Sequence, residues 1–597
     1  MQYTKGTTNY DTHLKCKTIK ELVDFCAEEY GESDAFLFHD KPNGKEIRKL
    51  YIDFKNDINA LGTALISIGA KDSHIVVIGN NSYKWAVAHS TIINGVGISV
   101  PLDKQLAESE IISLTERGLA EYFFFDYAHL NEAIAVSKVN TQIKNFIYKN
   151  PEKDSMPEDP RFISYDDLMK RGYELIDEGN KDFSMINLDE NAMCSLLFTS
   201  GTTALSKGVM LSHKNISGNI CNINATIQIN RGRGLSVLPL HHTLENSIGM
   251  YYLFASGICI CYTDGLRYLS SNLKEWKITV MLGVPLLFEN IYNQIQSTLR
   301  KTKKTKTVNI MRKVSNFLRI FKIDIRRKLF KKIIEGLGGE MELFVSGAAP
   351  IDVKIIQFFN DIGITFLMGY GLTETSPVIS ATSHTLNIYG SVGKPLANIE
   401  AAIDTEDNTR GTVGEILTKS DCVMLGYFQN EDATKEVFTN DGWFRTGDSG
   451  YLDKKGCIHV TGRLKSMIVL TNGKKVFPEE IELLTDRIQG IKESLVWGNE
   501  SQKGTIDICA KFVIDQENLP EDCKKDDETI SKYIEEQVKL VNTKMPIYKA
   551  IKYFLFTETD MIKTTTLKIK RPMEEKSIEQ YLSENNFTMR SISGRRI

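Results

Sequence analysis

The stretch SLLFTSGTTALSKGVMLSH, residues 195–213, places a run of β-forming residues before a loop rich in glycine and hydroxyl side chains. Glycine lets a backbone approach phosphate oxygens, backbone N–H groups and hydroxyls donate hydrogen bonds to them, and lysine adds compensating charge. The pattern is not GxxxxGK[ST], so it does not imply the P-loop fold. It predicts a phosphate-binding loop after a strand, and taken alone it also fits a solvated turn. The candidate phosphate contacts are Thr199, Ser200, Gly201, Thr202, Thr203 and Lys207.

Five further motifs follow this loop in chain order. They are SGAAP at 346–350, MGYGLTETSP at 368–377, GWFRTGD at 442–448, GRLKSMIV at 462–469 and TTTLKIKR at 564–571. With the loop, they resemble the adenylate-forming superfamily of AMP-binding enzymes, which includes acyl-CoA synthetases, luciferases and peptide-synthetase adenylation domains. The resemblance runs from about residue 20 to about residue 575.

The chain also shows the alternation of an α/β protein. Short β-branched runs such as HIVVIGN at 74–80 alternate with helical-period segments such as IKELVDFCAEEY at 19–30, which is typical of parallel sheets covered by helices. Asn472-Gly473 lies between two β-rich runs and predicts a two-residue hairpin that begins a new unit. We expect a large N-terminal domain of several subdomains with parallel-rich sheets over 1–462, and a small mobile α+β C-terminal domain over 463–597.

The resemblance implies an ATP site with Mg²⁺. The loop Thr199–Lys207 would close over the β- and γ-phosphates, although Ala204 and Ser206 replace the Gly and Pro common there. Thr373 would hold the α-phosphate, and Thr199 and Glu374 would bind the metal, because hard cations prefer oxygen ligands. Asp448 would accept hydrogen bonds from the ribose hydroxyls, with Arg463 beside it. The adenine would lie between two segments, with Tyr370 as its stacking face: Gly347, Ala348 and Ala349, and Gly369, Tyr370, Gly371 and Leu372.

The resemblance also implies a mobile catalytic lysine. Lys568 matches the lysine that reaches from the small domain to the acyl carboxylate and α-phosphate in the first half-reaction, where a fixed cation stabilises the developing charge. Lys570 and Arg571 compete for this role, because Leu567 replaces the family's usual glycine, and the spacing to Arg571 favours Lys568. In the second half-reaction the small domain would rotate about a hinge at Lys465. The hairpin at Asn472 and Gly473 would then line the channel for coenzyme A.

Two further segments of the sequence bear on which carboxylic acid is the substrate. LPLHHTLENSIG, from Leu238, resembles the segment that borders the acyl site, and His242 is then near the carboxylate or gates the thiol channel; a satisfied core histidine is the alternative. No aspartate that could pair a substrate ammonium stands in this segment, and no carrier domain follows in the chain, which argues against a peptide-synthetase module. GVPLLFENIYNQI at 283–295 and the insertion at about 297–335 resemble long-chain fatty acyl-CoA synthetases. An acyl-carrier-protein synthetase and a ligase for an aryl or branched acid remain alternatives.

The insertion carries a local excess of positive charge. Residues 300–332 hold fourteen Lys or Arg and one acid, Asp324. Apolar residues recur among them at helical spacing, which predicts an amphipathic helix: Ile310, Val314, Phe317, Leu318, Phe321 and Ile325. Such a helix could lie peripherally on a membrane with anionic lipids, pack its apolar face on its own domain, or bind acyl carrier protein.

The bulk composition excludes several classes of protein. A formal net charge of −3 gives no overall attraction to nucleic acid, and the ten cysteines form no CxxC pair, which favours a reduced compartment. The N-terminus shows no secretory signal, so we expect a cytoplasmic protein. A non-catalytic binding protein of the same fold would be expected to lose Glu374, Asp448 or Lys568, and all three are present.

Overall fold

A nine-stranded sheet forms the centre of the fold. The computed structural model describes residues 1–11, 14–149, 156–199, 206–407, 409–471, 473–501, 504–524, 526–564 and 568–597. Neighbouring strands from Thr365–Gly371 to Asp34–His39 run parallel, and the remaining pairs are antiparallel. The strand order is Lys394–Pro395, Val378–Ala381, Thr365–Gly371, Leu343–Ser346, Val280–Gly283, Arg233–Ser236, Cys259–Tyr262, Asp34–His39 and Glu46–Leu50.

An eight-stranded sheet lies beside it and is also largely parallel. Its strands from Met193–Thr199 to Phe162–Ser164 are parallel, whereas Lys207–Ser212 pairs antiparallel with both of its neighbours. The order is Gly426–Tyr427, Lys207–Ser212, Met193–Thr199, Gly97–Pro101, Ser73–Ile78, Ala120–Asp126, Asn145–Lys149 and Phe162–Ser164. Helices cover both faces of such a parallel sheet, so the side chains of its inner strands are buried on both sides and are mostly apolar.

A third sheet is antiparallel and ends at the motif predicted to bind the ribose. Its strands, in order, are Gln2–Lys5, Glu400–Asp404, Gly414–Lys419, Phe444–Leu452 and Ile458–Arg463. Asp448 and Arg463 are partners in the ladder between the last two strands. The register therefore sets these two side chains next to each other.

Residues after Arg463 form sheets of their own. Ile491–Glu500, Ile506–Ile514, Tyr553–Thr557 and Arg595–Arg596 make a four-stranded sheet, and Ile468–Val469 pairs with Lys475–Val476. Buried apolar clusters within 468–597 cover both faces of the four-stranded sheet. The predicted boundary at 462/463 falls between these sheets and the antiparallel one, and it stays a prediction.

The predicted two-residue turn at Asn472-Gly473 is wrong in length. The Leu470 N–H donates to the Lys474 carbonyl at 2.9 Å, so three residues close the hairpin. Gly473 has φ 77°, in the left-handed region, as three-residue hairpin loops require. Asn472 lies outside the described residues.

The helices pack against the sheets through apolar stripes, as the helix predicted at 19–30 shows by burying Ile19, Leu22, Val23, Cys26 and Ala27. The expected α/β class with parallel-rich sheets and a smaller C-terminal part is confirmed. None of the described helices combines the length and apolar composition of a membrane span. The helices are Ile19–Tyr30, Tyr51–Ser67, Tyr83–Thr91, Glu108–Arg117, Leu130–Val139, Tyr165–Asp177, His213–Thr226, Leu253–Ala255, Leu269–Glu275, Pro285–Lys301, Thr305–Ile320, Arg326–Leu329, Lys331–Gly336, Val353–Ile362, Glu431–Val437, Pro478–Thr485, Asp527–Asn542, Arg571–Glu584 and Met589–Ile592, with π-helical turns at Ile92–Val96 and Leu244–Tyr252.

Candidate active site

The motifs meet at the carboxyl ends of the parallel strands of the central sheet. Gly347 follows the strand Leu343–Ser346, Tyr370 ends the next strand, and His242 lies beyond Arg233–Ser236 on the other side. Ligands of open α/β sheets bind in the crevice outside these strand ends. The topology therefore gathers segments that are more than a hundred residues apart in sequence.

The two segments predicted to hold adenine have special backbone geometry. Ala348 has φ 73°, a left-handed conformation that is rare for a residue with a side chain. A Cβ on Gly371 would lie 1.8 Å from the Pro377 carbonyl oxygen, so only glycine fits there. Such constraints often occur at ligand sites. The role of these segments toward adenine stays a prediction.

The predicted ribose carboxylate is buried and held on both sides. The Tyr370 hydroxyl donates to Asp448 Oδ2 at 2.9 Å, and Arg463 Nε lies 3.2 Å from Asp448 Oδ1. Burial raises the pKa of Asp448, whereas the Arg463 charge opposes this shift. Tyr370 thus has a polar partner in addition to the ring face that the sequence assigned to adenine.

The predicted metal ligand Glu374 lies next to a residue that sequence reasoning missed. The Tyr427 hydroxyl donates to Glu374 Oε1 at 2.9 Å, and Lys207 Nζ lies 4.6 Å from the centre of the Tyr427 ring. Tyr427 comes to this place because its short strand pairs with Lys207–Ser212, with Val209 opposite Tyr427. No motif marks Tyr427 in the sequence, since its position depends on that long-range pairing.

The start and end of the predicted phosphate loop are described, and its centre is not. Lys207 pairs with Thr199 across the hairpin, and the Thr199 hydroxyl donates to the Lys207 carbonyl at 3.4 Å. Ser200, Gly201, Thr202 and Thr203 lie outside the described residues. Arg117, which the sequence did not single out, donates to the Ser206 carbonyl at 2.6 Å and lies over the Phe198 ring. It braces both ends of the loop.

Lys568 reaches this crevice from the C-terminal part. The Thr564 N–H donates to the Lys568 carbonyl at 2.8 Å. Burial in the cleft and the neighbouring Arg463 charge lower the pKa of Lys568 to about 8, and Asp448 opposes them. The Lys568 side chain is nonetheless exposed to solvent.

Of the two residues that competed with Lys568, Arg571 is engaged within the C-terminal part. Arg571 pairs with Glu482 within the C-terminal part and donates to the Val496 carbonyl at 3.1 Å. Lys570 immediately precedes the helix Arg571–Glu584, at its N-cap position. The assignment of the catalytic role to Lys568 stays a prediction.

His242 lies near Lys568 in a histidine pair. The ring centres of His241 and His242 are 4.2 Å apart, and His241 Nε2 lies 3.6 Å from Asp103. Burial, together with the charges of His241 and Lys568, lowers the pKa of His242 to about 3, so this ring is neutral near pH 7. It can accept or donate a hydrogen bond there without carrying charge.

Comparisons with solved structures identify the fold. The crystal structure of the anthranilate CoA ligase AuaEII in complex with anthranoyl-AMP superposes with a TM-score of 0.75 at 17% identity, covering 96% of this chain and 99% of that one. ATP-bound MatB from Rhodopseudomonas palustris gives a TM-score of 0.71 at 20% identity, covering 94% and 99%.

Curated relatives are similar along most of the chain. A probable acyl-activating enzyme 16 of Arabidopsis thaliana chloroplasts is 28% identical, covering 95% of this chain and 88% of its own. The long-chain-fatty-acid–[acyl-carrier-protein] ligase AEE15 of the same plant is 27% identical, covering 82% and 75%. The long-chain-fatty-acid–CoA ligase FadD15 of Mycobacterium bovis is 28% identical, covering 72% and 71%.

The family comparison agrees with the resemblance of the motifs to adenylate-forming enzymes. The profile described as AMP-binding enzyme matches residues 24–428, more than half of the chain. The chain belongs to the AMP-binding enzyme family.

Proposed function

We propose that this enzyme activates a carboxylic acid with ATP and transfers the acyl group to a thiol, in two half-reactions. The observation that carries the proposal is the convergence of Lys568 with His242, Asp448 and Arg463 at the carboxyl ends of the central strands. This arrangement offers a carboxylate for a ribose, and a cation beside the segment predicted to border the acid.

In the first half-reaction a carboxylate oxygen of the substrate attacks the α-phosphorus of ATP. The bond from that phosphorus to the bridging oxygen breaks, and pyrophosphate leaves with the electron pair. Two anions meet in this step, so a fixed cation lowers the barrier by about 3 kcal/mol, by analogy with single preorganised donors. Lys568 would supply that charge, and Thr373 would hold the α-phosphate. Because Lys568 acts electrostatically, no protein nucleophile is required.

A divalent cation fits the residues present. Glu374 offers a carboxylate whose other partner is a neutral hydroxyl, and Thr199 offers a hydroxyl at the start of the phosphate loop. Both are hard oxygen donors of the kind Mg²⁺ takes, usually with substrate phosphates and waters. The bound ion would neutralise charge on the phosphates.

In the second half-reaction a thiol attacks the carbonyl carbon of the acyl-adenylate. The carbon–oxygen bond to AMP breaks, AMP leaves with the electron pair, and the thiol proton is released. Lys568 would leave the acyl carbonyl before the thiol enters, which requires the C-terminal part to move. We propose that residues 463–597 rotate about Lys465, which is exposed at the centre of the turn Leu464–Ser466. The hairpin containing Asn472 and Gly473 would then border the coenzyme A channel.

We propose a long-chain fatty acid as substrate and coenzyme A as acceptor. The names of the relatives from Mycobacterium bovis and Rattus norvegicus, both long-chain-fatty-acid–CoA ligases at 28% identity, support this choice. The name of AEE15 supports acyl carrier protein as the alternative acceptor. A long-chain acid also partitions into bilayers, so we propose work at a membrane surface, with peripheral contact through residues 300–332.

The decisive experiment compares Lys568→Ala with Lys570→Ala. Lys568→Ala should reduce acid-dependent pyrophosphate release at least 100-fold and still convert a synthetic acyl-adenylate to thioester, whereas Lys570→Ala should do both normally. Normal pyrophosphate release by Lys568→Ala would show that the assigned role is wrong. A screen of acids by chain length and aryl character, with coenzyme A and acyl carrier protein as acceptors, identifies the substrates.

A further inference from the structure

The helix Thr305–Ile320, here called the basic helix, turns its apolar side to solvent. Residues 310, 314, 317 and 321 are spaced three or four positions apart, so they lie on one side of a helix. The buried residues Val308 and Ser315 lie on the opposite side. The apolar residues, with the exposed fraction of each, are Ile310 62%, Val314 49%, Phe317 60%, Ile320 74%, Phe321 62% and Ile323 50%.

Polar contacts hold the basic helix in this orientation. Arg312 donates to Asp361 Oδ2 at 2.7 Å, and the Asn316 amide donates to Asp361 Oδ1 at 2.8 Å. The Arg312 guanidinium also lies 5.3 Å from the centre of the Phe358 ring. Asp361 and Phe358 belong to the helix Val353–Ile362, which packs against the central sheet. The side facing the protein therefore combines these polar contacts with Val308 and Met311, which pack on the core, while the larger apolar residues face solvent.

Exposed bases occur in the same segment as the apolar side. Lys306 and Lys313 flank Ile310 and Phe317 on the same helix, and Lys322 follows Phe321. The one acid of residues 300–332, Asp324, is engaged with Arg326 at 2.6 Å. The exposed bases of the segment are Arg300, Lys301, Lys303, Lys304, Lys306, Lys313, Arg319, Lys322, Arg327, Lys328, Lys331 and Lys332.

We infer that the basic helix and the following residues 321–323 form a docking surface for an anionic lipid bilayer. Large contiguous apolar patches are rare on soluble proteins unless they bind something. Aromatic and aliphatic side chains in a field of lysines match the interface of a bilayer, where the chains enter the headgroup boundary and the bases meet anionic lipids. A second copy of this surface would bring two sets of bases together, and their repulsion disfavours that occupant.

The surface connects to the active site through one helix. Pro285–Lys301 begins just after the strand Val280–Gly283, whose end lies in the crevice, and ends at the basic segment. Its 17 residues span about 25 Å at about 1.5 Å per residue. If the proposed long-chain substrate is correct, docking would hold the enzyme on the phase that contains its acid; the docking itself does not depend on that substrate.

Vesicle binding of the full chain tests the inference. We expect the wild type to sediment with vesicles of phosphatidylcholine and 30% phosphatidylserine, much less with phosphatidylcholine alone, and progressively less as salt is raised. Phe317→Ser with Phe321→Ser should weaken binding more than tenfold. Lys306→Gln, Lys313→Gln and Lys322→Gln together should weaken it on the order of 100-fold, since each base near an anionic surface contributes about 1 kcal/mol, or about fivefold.

Matched variants control for general effects. Val139→Ser with Met185→Ser removes apolar residues that are 60% and 76% exposed elsewhere, and Lys41→Gln, Lys45→Gln and Lys71→Gln together remove three exposed lysines. Both controls should bind vesicles as the wild type does. All variants should keep pyrophosphate release with a short water-soluble acid that the wild type accepts, and if no acid supports release, circular dichroism and thermal melts check the fold instead.

Three outcomes would overturn the inference. The first is equal vesicle binding by the wild type and the lysine variant. The second is a wild-type dimer in sedimentation velocity that Phe317→Ser with Phe321→Ser converts to monomer, without vesicle binding. The third is a wild type that does not bind anionic vesicles but binds acyl carrier protein, with that binding lost in both surface variants.

Discussion

Arg487 forms a two-point ion pair with Asp352. Its Nε lies 2.8 Å from Asp352 Oδ2, and its Nη2 donates to Oδ1 at 3.0 Å. Asp352 is the N-cap of the helix Val353–Ile362, whereas Arg487 follows the helix Pro478–Thr485. The pair therefore joins the sequence before residue 463 to the sequence after it, in the same arrangement that places Lys568 in the crevice.

We predict that Arg487→Ala weakens the first half-reaction selectively. The pair is partly exposed, with 38% and 17% of the two side chains accessible, and such pairs contribute about 1 kcal/mol or less. Pyrophosphate release should fall about two- to fivefold, because the arrangement with Lys568 in place loses a contact. Conversion of a synthetic acyl-adenylate to thioester should not fall.

The control for this prediction is Arg590→Ala, an exposed arginine of the C-terminal part. It should leave both half-reactions unchanged. Equal losses in the two half-reactions of Arg487→Ala would mean that the pair supports the fold and not one arrangement of the two parts.

The pKa of Lys568 predicts an alkaline limit to activity. Burial and Arg463 lower this pKa to about 8, so the amine loses its proton as pH rises through that value. The kcat/KM for ATP reports the free enzyme and should decline above about pH 8. Lys568→Arg keeps its charge in this range, so its residual activity should lack that limb. An identical alkaline limb in Lys568→Arg would assign the titration to another group.

Local sequence predicted the parts of the site that one segment supplies. The resemblance placed Arg463 beside Asp448, and the strand register that makes the two residues partners accounts for their contact. Tyr427 and the pair of Arg487 with Asp352 were not predicted. The partners are 53 residues apart for Tyr427 and Glu374, and 135 residues apart for Arg487 and Asp352, so each contact depends on how distant elements pack.

The basic helix shows a different limit of sequence reasoning. Its periodicity predicted an apolar side, because helical spacing fixes which residues share a face. The direction of that side could not be predicted, because the Arg312 and Asn316 contacts with Asp361 turn it outward. Of the six apolar residues in the predicted pattern, Leu318 and Ile325 are only partly exposed, and the other four are exposed.

We predict that Tyr427→Phe weakens metal binding more than turnover. The lost hydroxyl orients Glu374 Oε1, and removing such an outer partner commonly costs about tenfold or more in metal affinity or activity. The Mg²⁺ concentration for half-maximal pyrophosphate release should rise severalfold, and saturating Mg²⁺ should restore most of the rate. Tyr581→Phe, at a tyrosine packed on Phe587 in the C-terminal part, is the control. An unchanged Mg²⁺ dependence in Tyr427→Phe would argue against Glu374 as a ligand.

Glu245 predicts a pH dependence of stability. The side chain is fully buried in the turn Leu244–Tyr252, and a Cβ on Gly249 would lie 2.6 Å from its carboxyl carbon. Burial raises the pKa of Glu245 from 4.5 to about 8, against the opposing effect of Ser236 and the Leu238 backbone. Between these two values the folded protein holds a proton that the unfolded chain has released. Its unfolding free energy therefore falls as pH rises through that window.

Glu245→Gln should remove this dependence, because the amide keeps the shape of the protonated acid and does not titrate. Two pH units at 1.36 kcal/mol each amount to about 3 kcal/mol. Between pH 5 and pH 7 the wild type should therefore lose about 3 kcal/mol more unfolding free energy than the variant. Urea unfolding followed by tryptophan fluorescence at the two pH values measures the difference, with Glu108→Gln at an exposed glutamate as control. Equal slopes in the wild type and Glu245→Gln would show that Glu245 is ionised in the folded protein.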